Sequence, residues 1–206
     1  IGLTLRGRGL ASTVVGVGRD PRTLDEARGR GVIDRATTDM AEGVAEADVV
    51  VVCTPVSRIA VDVRRAAEAA PKTALITDAG STKRRIVEEV EQSPRPADQF
   101  VAAHPLAGSE RSGSAFARAD LFRDRVCVLT PSARTPASRL RAARAFWSAL
   151  GCRILEMSPA QHDEVVAYTS HLPHATAAWL ASAVPADWLP LAAGAFRDGS
   201  RVAGAD

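Results

Sequence analysis

The sequence is poor in the residues that mark redox, disulfide-rich and metal-binding proteins. Of its 206 residues only three are cysteine and four are histidine, and aromatic residues make up 4%. Cys53, Cys127 and Cys152 lack CxxC spacing and lie in apolar, strand-like segments. This pattern favours reduced core cysteines over a redox role, and we expect a cytoplasmic protein.

Long apolar runs and a strong charge imbalance are also missing. The longest apolar stretch is about six residues, around Val49–Cys53, far below the roughly 20 that a membrane span needs. The net charge is only +2, and the arginines are scattered among acidic residues. Nothing resembles a signal peptide. We therefore expect neither a membrane nor a nucleic-acid partner.

Six short apolar runs without polar alternation are typical of buried parallel strands. Helix patterns separate most of them, and this alternation predicts an α/β fold with a doubly wound, mostly parallel sheet. The six predicted strands cover residues 12–18, 48–53, 73–78, 99–104, 125–130 and 152–157.

Capping residues predict where several helices begin and end. Asp20, followed by Pro21, predicts one helix start, and Gly31 predicts its end. Thr135 predicts the start of a later helix that buries Trp147.

The pattern changes after Met157. Ser158 opens a capping box, no strand follows, and residues 162–184 read as helix, interrupted at most by a kink at Pro173. We therefore predict two domains, an α/β domain over residues 1–157 and an all-helical domain over residues 158–206.

Polar clusters follow the first four predicted strands. These are "GRDP", "TPVS", "DAGSTK" and "HPLAGSE". Ligands of open parallel sheets bind beyond the carboxyl ends of the strands, so the four clusters predict the rim of one binding crevice.

The first two clusters suggest a dinucleotide cofactor. Gly18 stands where such a site often carries an acid for the adenosine ribose, and Arg19 suits a 2′-phosphate, which favours NADP over NAD. A solvated turn arginine is the alternative. Thr54 and Pro55 turn the backbone away from the strand and leave Thr54 free to touch a ribose or phosphate, although an N-cap at Ser57 would explain the same residues.

In "DAGSTK", Asp78 ends the strand and Gly80 permits close backbone approach to a ligand. Ser81 is placed to cap a helix whose amino end can face an anion. Capping alone is the alternative interpretation.

His104 ends a strand beside a polar turn that includes Ser109 and Glu110, and Ser81 is expected to project from a neighbouring strand end. A neutral imidazole at this place can accept a proton near neutral pH, so a catalytic role is favoured. A hydrogen-bonded core histidine is the alternative.

The other histidines, His162, His171 and His174, follow the domain boundary. His171 and His174 are three residues apart on one helix face, but a third zinc ligand at useful spacing is lacking, so no metal is expected. Further on, Arg201 near Asp198 could bind a substrate carboxylate with its guanidinium, or form a surface ion pair.

These motifs, taken in order, resemble the prephenate/arogenate dehydrogenase family of tyrosine biosynthesis. "HPLAGSE" and "TSHLPH" are specific, and the resemblance runs over essentially the whole chain. It implies a Rossmann-like domain that binds NAD or NADP, followed by a helical dimerisation domain, truncated here, and a homodimer. The family's first strand and GxGxxG loop are expected before Ile1, and its helical domain is expected to continue past Asp206.

The resemblance implies oxidative decarboxylation of prephenate to 4-hydroxyphenylpyruvate, or of arogenate. His104 would take the proton of the substrate's ring hydroxyl, and Ser81 would hydrogen-bond that hydroxyl or orient His104. Arg201 and His174 would grip the carboxylate and keto end of the substrate. The remaining residues of the implied substrate site are Ser109, His171, and the pair Glu110 and Asp198, expected as a charged gate around Arg201.

Two rival functions remain open. A β-hydroxyacid dehydrogenase would share the cofactor domain, but that class uses a lysine on a later helix, and no lysine follows Lys83. A non-catalytic nucleotide-sensing module would keep the crevice without the chemistry. The sequence does not separate prephenate from arogenate as substrate.

Overall fold

The computed structural model describes residues 1–108 and 113–204, which form an α/β domain followed by helices. The strands are β1 Val15–Val17, β2 Arg35–Thr37, β3 Val49–Val52, β4 Leu75–Asp78, β5 Phe100–Val101, β6 Ala103–Pro105, β7 Val126–Leu129 and β8 Arg153–Glu156. The α-helices are α1 Gly2–Gly7, α2 Pro21–Gly29, α3 Met40–Val44, α4 Val56–Ala69, α5 Arg84–Glu91, α6 Pro94–Gln99, α7 Ala137–Ala149, α8 Pro159–Val166, α9 Leu172–Ala183 and α10 Gly194–Ser200. A π-helical turn, Ala167–His171, joins α8 to α9, and 3₁₀ turns cover Ser114–Phe116, Ala186–Leu191 and Arg201–Gly204.

The central sheet is mostly parallel. β3, β4 and β5 pair in parallel, and only Ala102 separates β5 from β6. β6 then pairs antiparallel with β7, which is parallel to β8. The doubly wound, mostly parallel sheet is confirmed, with the β6–β7 pair as its antiparallel exception.

β1 and β2 form a separate parallel pair. A cavity of about 1250 Å³ lies between this pair and β3, lined on one side by Val15 and Val17 and on the other by residues 49–52. It lies away from His104. The expected strand and glycine-rich loop before Ile1 stay predictions.

Helices cover both faces of the central sheet. Along β4, Ile76 packs towards Ile59 of α4 and Val90 of α5, whereas Leu75 packs towards Trp147 of α7. Trp147 is fully buried, and its indole N–H donates to the Thr77 hydroxyl at 3.3 Å. The apolar faces of these helices therefore form the two core layers.

Several predicted helix ends are confirmed. Asp20 caps α2 by accepting the Arg22 N–H, and Gly31, with φ +67°, follows the end of that helix. Ser158 and Gln161 form the predicted capping box at the start of α8.

Other local predictions are wrong. Thr135 does not cap α7; its hydroxyl accepts the N–H of Ser132 in the preceding turn. Ser57 lies inside α4 and does not cap it. Cys53 is exposed beyond the end of β3, whereas Cys127 and Cys152 are buried as expected.

The segment after β8 is helical, as predicted, with the π-helical turn just ahead of Pro173. Proline has no N–H to donate to the preceding turn, so a local change in helical hydrogen bonding at this place is expected. Among the helices of the described residues, none is long and apolar enough to cross a membrane.

Two helical glycines provide a test of the packing of α3 on the β1–β2 pair. A Cβ on Gly43 would lie 2.3 Å from Cγ2 of Val17, a β-branched side chain with little freedom to move, whereas a Cβ on Gly29 meets nothing within 4 Å. We expect Gly43→Ala to lower the free energy of unfolding by about 1–3 kcal/mol because of overpacking. Gly29→Ala should leave it unchanged or raise it by up to about 1 kcal/mol. Urea unfolding of both variants measures the difference, and equal effects would contradict this packing.

Candidate active site

A buried ion pair lies where β4 ends. The ammonium of Lys83 donates to the Asp78 carboxylate and, at 2.8 Å, to the carbonyl of Ala103. The other Asp78 oxygen accepts the Ala103 N–H at 2.9 Å. Ala103 faces the point at which β4 stops, so the ion pair satisfies backbone groups that would otherwise lack a strand partner. This fixes the residue that precedes His104.

Both charged side chains of this pair are completely buried. Burial lowers the pKa of Lys83, and the neighbouring Asp78 carboxylate opposes that shift. Asp78 also accepts the N–H of Gly80 at 2.9 Å. Asp78, predicted to bind the cofactor, therefore does not present its carboxylate to the crevice, but it does orient the loop that follows β4.

His104 is the middle residue of β6 and is partly buried. Its Nδ1 lies 2.9 Å from Nε2 of His162, a buried residue of α8. The Nδ1 of His162 lies 2.7 Å from a carboxylate oxygen of Asp163. That carboxylate also accepts the N–H groups of Lys83 and Arg84, at 2.7 and 3.0 Å. A continuous hydrogen-bonded chain thus joins β6, α8 and the start of α5.

The environment keeps both imidazoles of this chain neutral. Burial, with smaller contributions from His162 and the Lys83 ammonium, lowers the pKa of His104 to about 4. Burial also lowers the pKa of His162. Burial alone would raise the pKa of Asp163, but hydrogen bonds from His162 and two backbone N–H groups outweigh it, so the net shift is downward. At neutral pH Asp163 is therefore a carboxylate, and His162 and His104 are neutral imidazoles.

Ser81 and His171 lie near these hydrogen-bonded residues, and their own side chains are exposed to solvent. Ser81 is exposed, and within the described parts of the chain its hydroxyl makes no hydrogen bond. The prediction that it caps α5 is wrong, because α5 begins at Arg84 and its first N–H groups are held by Asp163. His171, the last residue of the π-helical turn, is close enough to His104 to lower its pKa slightly.

The residues predicted to grip the substrate are on the helical segment and exposed. His174 has its Nδ1 2.8 Å from the carbonyl of Ser170, and within the described residues its Nε2 makes no hydrogen bond. Arg201 begins the last 3₁₀ turn, and Asp198 lies in α10. Among the residues that the structure describes, no ion pair joins Asp198 to Arg201. Ser109 and Glu110, the other predicted contacts, lie outside the described residues.

The predicted cofactor contacts lie at the carboxyl ends of β1, β3 and β4. Arg19 and Thr54 are exposed, and Pro55 occupies the N-cap position of α4. Gly18, which follows β1, donates its N–H to the Thr37 carbonyl.

Gly80 has no room for a side chain. A Cβ there would lie 2.5 Å from Cδ1 of Ile59 and 2.9 Å from the Asp78 carboxylate, so the turn after β4 requires glycine. A close-packed turn after β4, together with the exposed Thr54 hydroxyl after β3 and the exposed Arg19 guanidinium after β1, is of the kind that binds a nucleotide's ribose and phosphate. Apart from residues 109–112 and 205–206, which the structure does not describe, no three His, Cys, Asp or Glu side chains converge as a metal site would need.

The sequence prediction missed His162, Asp163 and the structural part played by Lys83. His162 was noted only as a helical histidine, and 58 residues separate it from His104. No local pattern joins residues this far apart, because the contact depends on how α8 packs against the sheet. The capping box at Ser158 predicted the helix but not its neighbour.

Comparison with known proteins identifies the family. The family model described as prephenate dehydrogenase, nucleotide-binding domain, matches residues 1–156, and prephenate dehydrogenase, dimerization domain, matches residues 158–206. Cyclohexadienyl dehydrogenase of Zymomonas mobilis is 37% identical over 189 residues, covering 88% of this chain and 64% of the relative. Prephenate dehydrogenase of Bacillus subtilis is 33% identical over 210 residues, covering 98% of this chain and 57% of the relative.

A solved structure extends the likeness to three dimensions. Prephenate dehydrogenase from A. aeolicus, in complex with hydroxyphenyl propionate and NAD+, superposes with a TM-score of 0.91 at 29% identity, covering 100% of this chain and 73% of that one. The chain spans less than two thirds of the length of the curated relatives it matches. Both of its parts match domains of the same enzyme family, so the chain belongs to the prephenate dehydrogenase family.

Proposed function

We propose that the whole protein catalyses the NAD(P)-dependent oxidative decarboxylation of prephenate to 4-hydroxyphenylpyruvate. The observation that carries this proposal is the setting of His104, a neutral imidazole held between the strand ends of the nucleotide-binding domain and the first helix of the next domain. Family membership and the relatives named for prephenate or cyclohexadienyl substrates support the proposed reaction.

The chemistry assigned to His104 is acceptance of one proton. In prephenate the ring carries a hydroxyl at C4 and a carboxylate at C1. His104 removes the hydroxyl proton as the C4 hydrogen leaves as hydride and the ring carboxylate departs as CO₂. A bound nicotinamide supplies the hydride acceptor. Because the product is aromatic, the step is downhill, and the protein mainly has to position the ring and accept the proton.

Several further side chains are proposed to bind the substrate. Ser81, whose hydroxyl makes no hydrogen bond within the described residues, is proposed to hydrogen-bond the substrate's C4 hydroxyl. Arg201 is suited to pair with a substrate carboxylate through two parallel N–H groups. His174 offers its Nε2 to the keto end, and His171 lines the space next to His104. Ser109, Glu110 and Asp198 remain proposed substrate contacts.

The cofactor is proposed to lie along the carboxyl ends of β1, β3 and β4. Gly18 and Arg19 would meet the adenosine ribose, and Thr54 and Pro55 the middle of the dinucleotide. Gly80 and Ser81 would lie nearest the nicotinamide. At the end of β1, Gly18 stands where such a site often carries an acid, and Arg19 follows it; this favours a 2′-phosphate, so NADP is proposed as the preferred cofactor.

The lysine on a later helix that β-hydroxyacid chemistry uses as its base is not found in this chain. Lys83 is the last lysine in the sequence, and its ammonium is fully buried between Asp78 and the Ala103 carbonyl. It therefore cannot reach a substrate hydroxyl in the crevice, whereas His104 is partly exposed.

We also propose that the protein is a cytoplasmic homodimer, divided into domains near residue 157. Tyr168, Leu172 and Trp179 are each more than half exposed and are spaced by four and seven residues, so they share one helix face. An exposed apolar stripe of this kind is typical of a protein interface. The match of residues 158–206 to a dimerization domain supports a second copy as its partner.

The proposed reaction predicts that the whole protein forms NADPH or NADH when prephenate is added. His104→Asn should lower turnover by roughly 10²–10⁴-fold, because the base is lost. Cofactor affinity, measured by titration, should change little and serves as the control. Absorbance at 340 nm follows the reaction, and parallel assays with arogenate decide between the two substrates. A near-normal rate for His104→Asn would remove this residue from the mechanism, and no activity with either substrate would favour the sensing module.

Arg19 provides the test of cofactor preference. Arg19→Ala should weaken NADP binding by roughly 10- to 100-fold, because a charged hydrogen bond to the 2′-phosphate is worth about 1.5–3 kcal/mol, while NAD binding should be almost unchanged. Arg30→Ala, at the far end of α2 and also exposed, is the matched control and should affect neither cofactor. Equal losses for NAD and NADP on Arg19→Ala would refute the preference.

The oligomer is tested by placing a charge on the exposed stripe. Leu172→Glu should shift the protein from dimer to monomer, because a buried unpaired carboxylate is costly at an apolar interface. Leu155→Glu, an equally exposed leucine on β8, should leave the dimer intact. Light scattering coupled to size-exclusion chromatography gives the mass of each variant. A dimer that persists in Leu172→Glu would place the interface elsewhere.

A further inference from the structure

The hydrogen bonds around His104 determine which of its ring nitrogens is free. An ionised carboxylate can only accept, so the His162 Nδ1 that faces Asp163 must carry a hydrogen. A neutral imidazole with hydrogen on Nδ1 has a lone pair on Nε2. His104 must therefore donate from Nδ1 to that lone pair, which leaves its own Nε2 unprotonated.

Asp163 is itself held in place. Its carboxylate accepts the backbone N–H groups of Lys83 and Arg84 at the start of α5, so it cannot rotate without breaking those bonds. Its lowered pKa keeps it ionised near neutral pH. His162 is buried, at 1% exposure, and fills the space between Asp163 and His104. Asp163, His162 and His104 therefore each have one orientation and one protonation pattern.

We propose that His162 and Asp163 are positioning residues that hold His104 in the tautomer with hydrogen on Nδ1, so that Nε2 is the base. The inference rests on the proposed function of His104. In the reaction the substrate O–H bond breaks and an Nε2–H bond forms on His104, while Nδ1 keeps its hydrogen. The resulting imidazolium is a stronger donor to His162 than the neutral ring, and the Asp163 carboxylate lies behind it to balance the charge.

Without the hydrogen bonds that link it through His162 to Asp163, His104 could carry its hydrogen on Nε2. A hydrogen there would block proton removal from the substrate. His162 prevents this tautomer, because it both donates to Asp163 and accepts from His104. Phenylalanine at this position would fill similar space with neither group. Glutamine would keep an N–H donor and a carbonyl acceptor on one side chain, and it leaves the Asp163 contacts to α5 untouched.

The experiment compares His162→Phe with His162→Gln in the whole protein. His162→Phe should lower kcat by roughly 10²-fold, with KM for prephenate changed less than about threefold, because His162 does not touch the substrate. His162→Gln should recover a substantial part of the loss. Glu164→Gln, an exposed neighbour on α8, is the matched control and should behave as wild type.

A spectroscopic readout separates positioning from general damage. The chain has four histidines, so ring ¹⁵N shifts can be assigned with His104→Asn as reference. Wild type should show His104 with hydrogen on Nδ1, and His162→Phe should lose that pattern while remaining folded by circular dichroism. A wild-type His104 with hydrogen on Nε2, normal turnover in His162→Phe, or slow turnover with an unchanged tautomer would each overturn the proposal. If wild type converted neither substrate, the proposed function would fail by itself, and the ring shifts would still decide the tautomer.

Discussion

The buried ion pair between Lys83 and Asp78 is the constraint on which the site depends. Two opposite charges with no solvent exposure are stable only when their remaining hydrogen-bonding groups are also satisfied, and here the backbone of Ala103 and Gly80 does this. The same hydrogen bonds fix Ala103, which precedes His104 in β6, and Gly80, which precedes Ser81 in the turn after β4. The two predicted catalytic residues are thus positioned by the same buried charges, although they belong to different strands.

Lys83 also links the two domains, through its backbone. The N–H groups of Lys83 and Arg84, at the start of α5, have no partner within the helix. Asp163 of α8 accepts both. Asp163 is therefore a helix cap supplied from another domain, and the same carboxylate orients His162 against His104. Any relative movement of the domains would break the cap and the histidine contact together. Because these bonds are lost or kept as a group, the contact between α5 and α8 and the orientation of His104 are energetically coupled.

The sequence predicted best those features that depend on neighbouring residues. The Asp20 cap and the Ser158 capping box are local, and the structure has both. The sequence pattern made Ser81 equally suited to cap α5, but in the structure the Asp163 carboxylate, from a helix distant in sequence, accepts the N–H at that helix start. The short strand β2 carries no apolar run, and so its pattern gave no signal. Candidate site residues could be proposed from the sequence where they follow predicted parallel strands, because such strands end at one edge, whereas His162 and Asp163 required the packing of α8 to be known.

Burial lowers the pKa of His104, the proposed base, to about 4, so its part in a reaction at neutral pH needs a physical explanation. Its first consequence is that the imidazole stays neutral in the free protein and does not form an unproductive ion pair with a substrate carboxylate. In the proposed reaction the substrate brings two carboxylates, and negative charge a few ångströms from a partly buried imidazole raises its pKa. The Asp163 carboxylate acts in the same direction through His162. The basicity of His104 would therefore rise when substrate binds, at the point where the proton has to be taken.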